Sequence, residues 1–150
     1  MNDTHSYRRD VVRPVVIDSP QRLLLLIPSD SDGATCWTLP KVLMRPGETM
    51  RRAATRHLRS ICRLPPLRIS PLIGRLPRTD AAEGVQYVIV VRPAAESWPS
   101  AVRFAISPDA CWWTTAMLRS GQVQVEPAGL LDFMDGYWDG WLPDGEISLE

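Results

Sequence analysis

Residues 46–64 read PGETMRRAATRHLRSICRL, and this stretch decides how the remainder of the chain is arranged. Met50, Ala53, Ala54, His57, Leu58 and Ile61 recur at i, i+3, i+4, i+7, i+8 and i+11, the spacing of one face of an α-helix. Arg51, Arg52, Thr55, Arg56, Arg59, Ser60 and Arg63 fill the other side. Pro46 and Gly47 supply a turn. Glu48 or Thr49 then stands where the free N–H groups and dipole of a helix N-terminus favour a carboxylate or hydroxyl. Pro65 and Pro66 forbid continuation. The pattern predicts a helix over 49–63.

On its N-terminal side, the β-branched run 10–17 and the leucine-rich run 22–27 flank Ser19 and Pro20, which predicts a two-stranded hairpin. Pro14 cannot donate to a ladder, so it is expected at an edge or a bulge. Residues 29–33 read as a polar loop tip before a third short strand over 36–39. On the C-terminal side, 67–76 and 85–92 are strand-like and joined by a polar connection over 80–84. Residues 101–106 and 111–113 form a further hairpin candidate, and 114–120 a short helical turn ending at Gly121. Pro127 suits the first turn of a last helix whose apolar side is Leu130, Leu131, Phe133, Met134 and Tyr137. Strands before and after a central helix, with a second helix behind, predict an α+β or α/β/α sandwich.

The chain has 150 residues, 45% of them hydrophobic, which suits one domain over 1–150. Seventeen basic and 17 acidic residues leave no net charge. Bulk attraction to a nucleic acid polymer or to an anionic membrane is therefore not expected. No apolar run approaches the roughly 20 residues of a membrane span, and His5, Arg8, Arg9, Asp10 and Arg13 interrupt any secretory signal, so cytoplasmic residence is expected. Cys36, Cys62 and Cys111 show neither zinc-site spacing nor an even count, and read as reduced and structural. Lys41 is the single lysine, an arginine bias expected of a GC-rich bacterial genome.

With these elements in place, residues 37–64 resemble the Nudix family. That family's box runs glycine, five residues, glutamate, seven residues, arginine-glutamate, an apolar residue, any residue, two glutamates, any residue, glycine and an apolar residue. Glu48, Arg56, Leu58 and Leu64 match it, as do the tryptophan and proline that precede the box, Trp37 and Pro40. Trp112, Trp113 and a Glu126-Pro127 helix resemble the end of the family's fold. The resemblance spans about residues 8–138, leaves 139–150 as a C-terminal tail, and implies a Nudix-like α/β/α sandwich with a mixed sheet. Four positions depart from the box: His57 stands for the glutamate after the arginine, Ser60 and Ile61 for the paired glutamates, and Arg63 for the glycine. The opening glycines are Lys41 and Val42.

The resemblance implies a hydrolase that cleaves phosphoanhydrides in nucleoside-diphosphate derivatives, with helix carboxylates holding Mg²⁺ or Mn²⁺ against the phosphates. Positions 57, 60 and 61 share one helix edge by their i, i+3 and i+4 relation. Mg²⁺ takes oxygen ligands and is typically held by one or two carboxylates with water and phosphate. Of the box acids only Glu48 remains, and it is the candidate metal ligand and catalytic carboxylate. An N-terminal carboxylate pairing with Arg52 or Arg56 is the competing role for it. His57 is the second catalytic candidate, since imidazole titrates near neutrality, against the plainer role of a packed histidine on the apolar stripe.

Arg52, Arg56, Arg59 and Lys41 are the candidate ligand-binding residues, because guanidinium groups bind phosphate bidentately without a metal. The plainer alternative is a solvated helix face. Asp80 and Glu83 occupy a connection where some relatives place another carboxylate. Trp37, Trp98, Trp112, Trp113, Trp138 and Trp141 offer base-stacking surfaces, against core packing for the strand residues Trp37, Trp112 and Trp113, while Trp138 and Trp141 are expected either to cover the domain or to pack on a second subunit of a homodimer. The functional expectation is a small phosphorylated ligand, with metal-dependent pyrophosphohydrolase activity weakened or lost. An active hydrolase with a non-standard metal site, and a partner-binding module without a small ligand, are the alternatives.

Overall fold

A computed structural model describes residues 9–31, 34–61, 66–77, 84–94 and 106–149. Among them the chain forms β1 (Val11–Asp18), β2 (Leu23–Ser31), β3 (Ala34–Thr38), β4 (Val42–Leu43), α1 (Met50–Ile61), β5 (Leu67–Arg75), β6 (Gln86–Pro93), β7 (Cys111–Trp113), α2 (Thr115–Ser120), α3 (Leu130–Asp139) and β8 (Gly145–Ser148). The strands make one mixed sheet in the order β3-β2-β1-β6-β5-β8, with β4 on β1 and β7 on β2. β1 with β6 and β5 with β8 are parallel, and the other pairs are antiparallel.

Period-two alternation divides the sheet's apolar residues between two cores. Val15, Ile17, Leu24, Leu26, Val88 and Val90 face α2 and α3 through Leu118, Leu130, Phe133 and Met134. Val12, Val16, Leu25, Ile89 and Val91 face α1 through Ala53, Ala54 and Leu58. The leucine run of β2 is thus explained: Leu24 and Leu26 enter one core and Leu25 the other. A mixed sheet with helices on both faces is the predicted α/β/α sandwich.

Pro14 departs from its expected place, since β1 is interior to the sheet order. β1 pairs β6 from Val11 to Val16, whereas its other side meets β4 at Val11 and Val12 and β2 at Ile17 and Asp18. No described ladder partner lies opposite Pro14 on that side, and a residue without an N–H is tolerated in the gap. β2 extends into the expected loop tip and pairs with β3 as far as Ser31↔Ala34; residues 32 and 33 lie outside the described residues. Of the predicted strand over 101–106 and the connection over 80–84, only Ile106 and Gly84 are among the described residues, and Ile106 is not part of a strand. β7 pairs instead with β2, Leu24↔Trp113 to Leu26↔Cys111.

The last helix begins at Leu130 rather than at Pro127. The Glu126 N–H donates to the Trp37 carbonyl at 2.9 Å and Trp37 bridges Val125, so the chain stays extended beside β3 up to Glu126. Only after the 127–129 turn does it enter the helix. The expected tail is also corrected: Gly145–Ser148 pairs in parallel with Leu72–Arg75, and Leu149 is 6% exposed within the α3-side core. Gly74 makes room for it, because a Cβ there would lie 2.8 Å from Leu149 Cδ1.

Candidate functional site

The turn ahead of α1 is built by Gly47 at φ 75°, a left-handed conformation that glycine adopts without strain, and by the Glu48 N–H donating to the Arg45 carbonyl at 3.0 Å. Thr49 caps the helix: its Oγ1 accepts from the Arg52 N–H at 3.1 Å. The described helix ends at Ile61, two residues short of the predicted end, and Cys62 and Arg63 lie outside the described residues. Ala53, Ala54 and Leu58 are fully buried, which fixes the outward direction of the arginine side.

Glu48 is paired rather than free. Arg56 grips it with two parallel bonds, Nε to Oε2 at 2.9 Å and Nη2 to Oε1 at 2.9 Å, and the Arg45 N–H donates to Oε1 at 3.0 Å. Arg56 Nη2 also donates to the Leu43 carbonyl at 3.0 Å, so one guanidinium joins β4, the turn and the middle of α1. The Arg56 hydrogen bonds, followed by that from Arg45, bring the Glu48 carboxyl down to about 2, and Glu48 in turn raises Arg56. Of the two predicted partners, the structure brings Arg56 to Glu48 and leaves Arg52 out of the pair.

His57 is half-buried, as its place on the edge of the apolar stripe implies. Burial, and then the charge of Arg56, lower its pKa from 6.5. Ser60 Oγ donates to the His57 carbonyl at 2.6 Å, closing a local turn of the helix instead of facing a ligand.

Glu48, Arg51, Arg52, Thr55, Arg56 and Arg59 line an open depression of about 420 Å³. Arg52, Arg56 and Arg59 are therefore brought together as the sequence reading has them. Lys41 is not among the lining residues; it is exposed on the connection between β3 and β4. The sequence reading did not single out Arg51, although its i, i+4, i+8 relation to Thr55 and Arg59 signals a shared face. It also overlooked Arg13. This guanidinium, 6% exposed, donates to Thr38 Oγ1 at 2.7 Å and to the Leu39 carbonyl, and so anchors the segment that leads into the box. Of the tryptophans, Trp37 and Trp113 pack edge to face at 5.1 Å, and Trp138 lies against the α3-side core. Trp141 is 65% exposed, and Trp98 lies outside the described residues.

The described donor set does not fit a divalent magnesium or manganese ion. Both oxygens of Glu48 are engaged by Arg56, Ser60 is turned into its own helix, and an imidazole beside guanidinium groups is a poor magnesium ligand. No group of three or more His, Cys, Asp or Glu side chains gathers for a metal among the described residues. Asp80 and Glu83 lie outside them. No helix among the described residues is long and apolar enough to cross a membrane.

No protein-family model matches the chain, and no curated protein matches it. Solved structures do. A NUDIX hydrolase from Nitrosomonas europaea is 15% identical, with a TM-score of 0.61, and the match covers 97% of this chain and 81% of that one. A UDP-X diphosphatase is 8% identical, with a TM-score of 0.64 over 97% of this chain and 70% of that one. A MutT protein from Bacillus halodurans is 13% identical, with a TM-score of 0.53 over 93% and 86%. At such identities the likeness is one of architecture: the mixed sheet with helices on both faces, carrying the Glu48–Arg56 turn and helix, is a Nudix-like fold.

Proposed function

We propose that this Nudix-like protein binds a nucleotide-like or other phosphorylated ligand on the arginine side of α1, with metal-dependent phosphoanhydride hydrolysis weakened or lost. The observation that carries the reading is the pairing of Glu48. The one box carboxylate left is neutralised by a bidentate arginine, while Arg51, Arg52 and Arg59 border the same depression with no described acidic partner. Guanidinium groups in that state attract phosphate oxygens directly and repel a divalent cation. Arg52, Arg56 and Arg59 bind the anion, Lys41 adds charge from the neighbouring connection, and Glu48 sets the position of Arg56. A cytoplasmic setting suits such a ligand.

Calorimetry tests it. Mg²⁺ and Mn²⁺ titrated into the protein, with and without nucleotide, are expected to give no tight binding. Metal-free phosphorylated ligands are expected to raise the melting temperature, as any ligand selective for the folded state does. Arg52→Gln and Arg59→Gln should each reduce that rise. The rival reading, an active hydrolase, draws on the activities named for the UDP-X diphosphatase and the NUDIX hydrolase that share the fold. Phosphate or pyrophosphate release from nucleoside diphosphate derivatives with either metal, abolished by Glu48→Gln, would establish that alternative and displace ours.

A further inference from the structure

A second basic cavity lies at the margin of the sheet, between α1, β5, β6 and α3. It measures about 420 Å³, and Arg51, Arg68, Arg92, Ser70 and Tyr137 contribute its polar lining. Its charge is built across three elements. Arg68 and Arg92 are directly opposite one another in the antiparallel β5–β6 pair, on the sheet face that carries Val88 and Val90. Arg51 joins them from α1, passing the first half of β5, which β8 leaves uncovered because it pairs only with Leu72–Arg75.

Like charges placed directly opposite on a strand pair repel. None of the three guanidiniums has a hydrogen bond or ion pair to an acidic side chain among the described residues. Ser70, which lines the cavity, accepts from the Leu72 N–H at 3.1 Å through its Oγ, an interaction that does not use its O–H. Tyr137, on α3, presents a phenol on the remaining side.

We propose that this cavity binds an anion carrying two or more negative charges on phosphate groups, held by Arg51, Arg68 and Arg92 with Ser70 as a neutral donor. The chemistry is shared by inorganic pyrophosphate and by the diphosphate of a nucleotide. The proposal does not depend on the α1 depression, with which the cavity shares only Arg51.

The test is calorimetric titration of the full chain at about 0.15 M salt, where diffuse surface attraction is largely screened. Pyrophosphate and ADP are the probes, against wild type, Arg68→Gln, Arg92→Gln and Arg59→Gln. Saturable pyrophosphate binding is expected, with one component weakened about tenfold or more by Arg68→Gln and by Arg92→Gln, and with a separate component, on the α1 depression, that Arg59→Gln weakens and both β-strand variants retain. Both β-strand variants should melt no lower than wild type, because each relieves a repulsion. ADP binding equal to pyrophosphate assigns the cavity to the phosphates alone, and tighter ADP binding assigns it to a nucleotide. Absence of saturable binding, or full affinity in both β-strand variants, overturns the proposal. Loss in Arg59→Gln with retention in Arg92→Gln refutes this cavity while leaving the α1 reading intact; the converse pattern supports the cavity and counts against that reading.

Discussion

Glu48 and His57 sit within one helical stretch and respond to protons in different ways. The folded carboxyl of Glu48 titrates at about 2, below its ordinary 4.5, so its contribution to stability is complete above pH 4.5 and is lost as pH falls toward 2. The difference in stability between wild type and Glu48→Gln should therefore be constant at neutral pH and shrink across that acid window, as denaturant unfolding at a series of pH values will show. His57 is also depressed, but for an imidazole this means that the neutral form is the one the fold accommodates. Stability from this source is complete above pH 6.5 and declines as pH drops below it. NMR titration should place the assigned His57 ring below 6.5, and His57→Gln should remove its share of the decline. The sequence revealed the identity of both residues but not which role each plays. Arg52 at i+4 and Arg56 at i+8 were equal candidates for Glu48 on spacing, and only the path of the 45–48 turn decides between them.

Among the elements, α1 was the most legible, because its boundary residues and its apolar stripe are both local signals. Leu58, fully buried against the sheet, is its central anchor. Leu58→Ala should destabilise the protein by about 3 kcal/mol, measurable by urea unfolding. Most strands were legible in position but not in partnership, and β4 and β8 were not read as strands. The strand-like runs that contain Arg68 and Arg92 are legible, yet the opposition of the two depends on the β5–β6 register, which includes an irregularity between Ile69 and Ile73. No local rule supplies that. Gly84, at the entrance to β6, shows the same dependence: a Cβ there would lie 2.3 Å from the Arg9 carbonyl oxygen, a backbone atom with little freedom to yield. Gly84→Ala should accordingly cost about 2 kcal/mol or more, with the loss visible as a lowered urea midpoint.

The assembled sheet depends on pairings distant in sequence, and this is where prediction from the chain alone reached least far. A strand formed by 145–148 has four residues and no strong alternation, so the aromatic and glycine content around it suggested a tail. Tertiary contact makes it a strand, since β5 offers a parallel edge and Gly74 leaves a notch for Leu149. Leu149→Ala should lower stability by about 2–3 kcal/mol by thermal or urea unfolding, as expected of a buried leucine and not of a surface tail. That notch has a consequence for biosynthesis. A nascent chain that has exposed β5 outside the ribosome still lacks one wall of its core, and must keep an apolar surface and a bare strand edge until residues 145–149 have also emerged. Pausing late in the message would prolong the interval in which a chaperone, or a neighbouring polypeptide on the same polysome, can occupy that edge.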